Sequence, residues 1–174
     1  MGIDIRELKK MTGERTFLKE MMEIFFQAML AGYAGDSKKE PIAELPGSKM
    51  ASPFIRGPWK VVDPFIVTPI SSRSVGMTII SFYDIPVWYM QYAGWYEKKA
   101  IPCLKAALHY SYEKHEFNGG RGPREVKYGK FVYSNSPNDF YNTFKVFDGS
   151  ESIHVASHEA TCLGVHQYRG GLMI

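Results

Sequence analysis

Two β-prone runs, residues 75–83 and 86–93, flank Asp84-Ile85-Pro86, and no other feature constrains this chain's fold as tightly. Alternating apolar runs on either side of a short turn-forming segment predict a hairpin. In the second run Val87, Tyr89 and Gln91 face one way, and Trp88, Met90 and Tyr92 the other, because successive strand residues point to opposite faces. Both sets are largely apolar, which predicts a central strand covered on both sides. The wider stretch Val87–Tyr96, VWYMQYAGWY, carries five aromatic rings in ten residues.

The β pattern extends in both directions. Residues 59–67 (WKVVDPFIV) are β-prone but interrupted by Pro64, which predicts an edge or a bulge. Further strands are expected near 128–134, 139–147, 151–157 and 161–168, separated by Ser-Pro-Asn-Asp, Asp-Gly-Ser and Ser-His-Glu turns. Consecutive strands with short turns imply antiparallel pairing.

Two helices complete the pattern. From Glu14 to Ala31, Phe17, Met21, Ile24, Phe25 and Ala28 recur at helical spacing, and Gly32 is a natural stop. Phe26, Met29 and Leu30 widen that apolar face, so the helix is well buried or meets a second subunit. A second helix is predicted from Ile101 to His115, with Pro102 in its first turn and Leu104, Ala107, Leu108 and Tyr112 as its stripe. A helical turn over 4–10, capped by Asp4 and Glu7, precedes both. Residues 32–58, rich in Gly and Pro, read as a long irregular connection. Without strict βαβ alternation, these elements predict an α+β fold: a curved antiparallel sheet of six to seven strands packed with two main helices. One domain over 1–174 is expected, with 1–13 as an N-terminal extension and 14–174 as the core.

Composition narrows the function. The chain has 174 residues, 45% apolar, and a formal charge of +3. Its lysines fall in separated pairs (Lys9-Lys10, Lys38-Lys39, Lys98-Lys99), where tracking a phosphate backbone needs clustered charge, so no direct nucleic-acid partner is expected. No leader pattern and no membrane-spanning run is seen, and Cys103 and Cys162 lack CxxC spacing. A cytoplasmic protein with two free thiols is the expectation.

Several constellations bear on chemistry. His154, His158, Cys162 and His166 recur every four residues, but four strand residues span about 13 Å, so neighbours in the series cannot share an ion; neither a metal nor a cofactor is expected. Cys103 lies in the first turn of the second helix, where the helix dipole could lower its pKa, but His109 on the same helix points elsewhere and a buried, small apolar Cys is the more common case. Gly119-Gly120-Arg121-Gly122-Pro123 lacks the Lys-Ser/Thr of a phosphate loop and reads as a flexible turn. Asp63 lies among apolar neighbours and, if buried, needs a partner such as Arg73 or Arg169. The rings of Trp59, Trp88, Tyr92, Trp95, Tyr133, Tyr141 and Tyr168 would fill a core or line a cleft beneath a helix.

From Phe25 to the C-terminus the chain resembles an uncharacterised bacterial and archaeal family, a domain of unknown function that stands alone or follows a helix-turn-helix module. The resemblance rests on FFQAMLAGYAG (25–35), LPGSK (45–49), WKVVDPF (59–65), IPVWYMQYAG (85–94), GKFVY (129–133) and YRGGLMI (168–174). Gln91 stands where that pattern has Asn, Arg169 where it often has His, and residues 66–76 lack its Gly-Gly turn. Residues 1–13 are too short for a helix-turn-helix, so DNA binding is not carried over. The resemblance implies a domain boundary and no activity.

Together these readings predict a non-catalytic small-molecule-binding or sensing domain. Its site would be drawn from Trp59, Asp63, Arg73, Trp88, Tyr92, Tyr168 and Arg169, with a homodimer formed through the N-terminal helix. The alternatives are a small enzyme using Asp63 or a histidine in the same cleft, and a protein-interaction module.

Overall fold

The computed structural model describes residues 13–35, 37–157 and 161–174. The predicted turn at 4–10 and His158 lie outside them. Helix α1 spans Glu14–Ala31 and buries Phe17, Met21, Ile24, Phe25, Phe26, Ala28 and Met29. The broad apolar face that suggested a second subunit is thus taken up by the chain's own core. Helix α2 (Ile101–Glu113) has Pro in its first turn and buries the predicted stripe together with Cys103 and Ser111. A 3₁₀ turn at Lys98–Ala100 leads into it. Helix α1 packs against α2 and against β3 and β4, whereas α2 leans on β8 and β9.

The strands are β1 (Glu40–Pro41), β2 (Ser48–Met50), β3 (Phe54–Arg56), β4 (Trp59–Val62), β5 (Phe65–Val67), β6 (Arg73–Phe82), β7 (Ile85–Tyr96), β8 (Glu125–Tyr128), β9 (Phe131–Pro137), β10 (Val146–Val155) and β11 (Cys162–Leu172). Among the described residues these eleven strands form one open antiparallel sheet, in the order β1-β2-β5-β6-β7-β11-β10-β9-β8, with β3 and β4 paired beside β6. The expected α+β class holds, but six to seven strands understates the sheet. Part of the excess comes from the Gly/Pro-rich connection, which contributes β1, β2 and β3, each only two or three residues long. The rest comes from Pro64, which splits 59–67 in two. Strand β4 pairs with residues 79–82 of β6 and β5 with residues 74–76, leaving Asp63 in the gap.

The central hairpin turns at Tyr83 and Asp84, both at positive φ, one residue earlier than the sequence suggests. A bulge falls between Ile80 and Ser81, where Ile80 faces Trp88 and Ser81 faces Pro86. It places Val87 and Trp88, adjacent in sequence, both in the core. Apart from this, β7 buries the Trp88, Met90, Tyr92, Tyr96 face, while Tyr89 and Gln91 are only half-buried, so one side of the strand is covered and not both.

Two predicted strands also shift. Residues 139–145 are turns, with Phe140 and Tyr141 exposed, and β10 runs straight through Asp148-Gly149-Ser150, read from sequence as a turn. Gly149 serves packing instead. A Cβ there would lie 2.5 Å from the Tyr168 hydroxyl, so only glycine lets that ring cross the strand.

Candidate functional site

The sheet and the two helices enclose a cavity of about 610 Å³ that opens to solvent. Strand β7 sends Tyr92 and Tyr96 into it, α2 contributes Ile101, Leu104 and Leu108, and α1 contributes Met29. Tyr33, Lys49, Asp63 and Phe65 form the opposing wall. That wall and Met29 all precede residue 71 in the chain.

A buried charged cluster forms the inner end. Gly119 and Gly120, both at positive φ, turn the chain back so that Arg121 enters the interior with 4% exposure. Its Nε donates to Glu151 Oε1 at 3.1 Å, and its Nη2 donates to the same oxygen. The Tyr133 hydroxyl donates to Glu151 Oε2 at 2.5 Å and accepts from the Gly122 N–H at 2.9 Å. The guanidinium also lies over the Tyr92 ring, 5.0 Å from its centroid. Burial alone would push the Glu151 carboxyl up, but the Arg121 charge and hydrogen bonds outweigh it and hold the carboxyl below its usual range.

His166 lies between the Tyr92 and Tyr96 rings, 5.9 and 4.6 Å away. Its Nε2 is 3.1 Å from Ser74 Oγ, and its Nδ1 is 3.7 Å from Glu151 Oε1, too far for a hydrogen bond. Burial, reinforced by the Arg121 charge, pushes its pKa down to about 4, so the imidazole is neutral near pH 7. His166 Nδ1 is buried without a hydrogen-bond partner, and the Tyr96 hydroxyl is buried beside the Glu151 carboxylate, so that burial and the carboxylate together raise its pKa.

Asp63 enters the same space from the break between β4 and β5. Its Oδ1 accepts from Thr78 Oγ1 at 2.7 Å and from the Tyr92 hydroxyl at 3.2 Å. Burial raises its pKa, and the Thr78 hydrogen bond and the Arg121 charge offset only part of that rise. The partners expected from sequence, Arg73 and Arg169, are not the ones it uses. Arg73 stands exposed at the cavity mouth. Arg169 is paired in register with Gln91 on the other face of the sheet, where both border a more open depression.

The remaining predicted residues are in the solid core. Trp88 is fully buried, stacks on Phe144 at 4.9 Å, and donates from Nε1 to the Phe144 carbonyl at 2.8 Å. Trp59 packs on Phe17 and Phe82 and donates to Glu20 Oε1 at 3.1 Å. The Tyr168 hydroxyl donates to Asn135 Oδ1 at 2.6 Å. Of the seven candidates, the cavity therefore gathers Asp63, Arg73 and Tyr92.

Of the described members of the histidine series, His154 is in register with Cys162, its Nε2 2.9 Å from Ser152 Oγ, and only His166 lines the cavity. Among the described residues no three His, Cys, Asp or Glu side chains are grouped to hold a metal ion. Cys103 is buried, and burial pushes its thiol up rather than down, against the dipole expectation.

Sequence reading missed Arg121 and Glu151. The signal for Glu151 was its phase: it shares the inward register of β10 with Phe147 and Ile153, where a charge demands a partner. No similarity to a curated protein or to a solved structure was found. A family model described as "Domain of unknown function (DUF5680)" matches residues 71–173, which take in the stretches at 85–94 and 129–133 and almost all of 168–174. The match covers more than half of the chain, which therefore belongs to the DUF5680 family.

Proposed function

We propose that the protein binds a small organic molecule in this cavity without transforming it. The observation that carries the reading is an open cavity of about 610 Å³ at whose inner end His166 Nδ1 is buried without a hydrogen-bond partner. Its size falls within the range of small-molecule sites, and its wall is mostly apolar with a few converging polar groups, as such sites require. Buried polar atoms without partners cost free energy that a bound molecule recovers by hydrogen bonding to them.

One arrangement favours an enzyme. Ser74, His166 and Glu151 stand in line, as a nucleophile, base and orienting carboxylate would. The electrostatics favour binding instead. Arg121 already neutralises Glu151, and a histidine with a pKa of about 4 is a poor acceptor for a serine proton. Only the Ser74 end of the line is a hydrogen bond, and it holds the imidazole at Nε2 while the Glu151 carboxylate stays with Arg121.

The test uses 8-anilinonaphthalene-1-sulfonate as a fluorescent probe. Saturable one-to-one binding is expected, abolished by Leu108→Trp, which fills the cavity. Binding that is unsaturable, or indifferent to Leu108→Trp, rejects the reading. Covalent labelling of Ser74 by a fluorophosphonate would replace it with acyl transfer.

A further inference from the structure

Resting on that reading, we infer that the ligand is an organic anion: an apolar body inside the cavity, with a carboxylate, phosphate or sulfonate held at the mouth by Lys49, Arg73 and Lys98.

These three cations come from separate elements, β2, the start of β6 and the 3₁₀ turn before α2, and all border the one cavity. None forms an ion pair among the described residues. Lys38, Lys60, Lys99, Arg124 and Lys145 each lie within 4 Å of a carboxylate, while among the described residues Arg15, Lys19 and Lys127 stand unpaired away from the cavity; what sets these three apart is that they border one cavity together. Among the described residues the only acid lining the cavity is Asp63, which faces Thr78 and Tyr92 inside it.

The backbone adds to the same potential. Helix α2 begins between Lys98 and Ile101, both cavity-lining, with no side-chain cap and no acidic residue in its first turn. The 3₁₀ turn takes up the Ile101 N–H on the Lys98 carbonyl and Pro102 has no N–H, so the helix contributes here only the positive end of its dipole. All three cations are exposed and border one cavity, so an anion in its mouth is attracted by each of them.

The depth of the cavity limits the body of the ligand. The inner end holds the Arg121–Glu151 pair, His166 and the Tyr96 hydroxyl, so a plain alkyl tail would leave those polar groups facing hydrocarbon. A planar, ring-containing body with a polar edge fits better, stacking beside Tyr92 and Phe65 and meeting His166 Nδ1 with that edge.

The experiment compares two probes with the same aromatic body. Anilinonaphthalene sulfonate carries the anion, and N-phenyl-1-naphthylamine does not. At low salt the wild-type protein should bind the sulfonate about tenfold more tightly than the neutral amine, as expected for close charge pairing. The triple variant Lys49→Gln/Arg73→Gln/Lys98→Gln changes only exposed side chains. It should lose about that tenfold for the sulfonate and keep its affinity for the neutral probe. Added salt should erode wild-type sulfonate binding and leave the neutral probe unmoved. Equal affinities for the two probes overturn the inference, as does a triple variant that keeps its sulfonate affinity or loses both probes alike. In each of those outcomes, loss of sulfonate binding in Leu108→Trp still upholds the cavity as the binding site, so failure of the charge assignment is separate from failure of the binding reading.

Discussion

One strand builds both halves of the interior, and the halves could hardly differ more. Around Trp88, the rings of Phe25, Phe144 and Phe147 close in at 4.9 to 5.5 Å and no space remains. Past Met90, the same face of β7 carries Tyr92 and Tyr96 into an open cavity. The Trp88 end has one buried polar atom on its indole, and the Phe144 carbonyl satisfies it. The Tyr92 end holds Asp63, Arg121, Glu151 and His166. Groups of that kind cannot be sealed under apolar rings without stranding charge. Ring packing closes one half of the interior, and buried charge keeps the other open.

Substitutions can break or sharpen that contrast. Trp88→Ala carries the largest expected effect, about 5 kcal/mol, from the cavity it leaves and the carbonyl it strands. Urea denaturation measures it, and a loss under about 1 kcal/mol would mean the ring half is loosely packed. Glu151→Gln should cost about 3 to 5 kcal/mol because it leaves Arg121 buried and unpaired. The double variant Arg121→Met/Glu151→Leu should regain much of that loss; if it does not, the pair contributes more than mutual neutralisation.

His166 gives a pH signature. Its folded pKa of about 4 lies below the ordinary 6.5, so the unfolded chain takes up a proton first as pH falls. Its contribution is therefore fully present above pH 6.5 and is lost on the way down to about pH 4, amounting to about 3 kcal/mol. His166→Asn should remove that slope from a series of denaturation curves. Asp63 acts in the opposite sense. Its folded pKa is raised, so its contribution is greatest below pH 3.8 and declines as pH rises through the folded value. Asp63→Asn, which keeps an acceptor for Thr78 and Tyr92, should raise the melting temperature at pH 7 by roughly 2 to 4 °C. A fall instead would show the carboxylate to be stabilised where it lies.

The helices were readable because burial follows a period. Phe17, Met21, Ile24, Phe25 and Ala28 all face inward, as do Leu104, Ala107, Leu108 and Tyr112. The hairpin was readable for the same reason. What sequence could not display was which rings share a space. Trp88 and Tyr92 lie on the same face of one strand, yet they enter different halves, because helix α1 lays Phe25 over one and α2 leaves room above the other. Glycine misled once. Asp148-Gly149-Ser150 resembles a turn but is a strand cleared for the Tyr168 ring, whereas the run 119–123 does turn, and what the sequence hid is that the turn delivers Arg121 to the interior. Local composition is the same whether a glycine bends the chain or makes way for a neighbour, and only tertiary contacts separate the two.

The stretch recognised as DUF5680 starts at Ser71, but Met29, Tyr33, Lys49, Asp63 and Phe65 stand across the cavity from it. Excised at that point, the remainder would be a bowl with one side broken away. The apolar surfaces of Leu104 and Leu108, and the rings that α1 now shelters, would face water and draw copies of the fragment together. The smallest piece of this protein that closes the cavity is therefore longer than the piece by which its kinship is recognised.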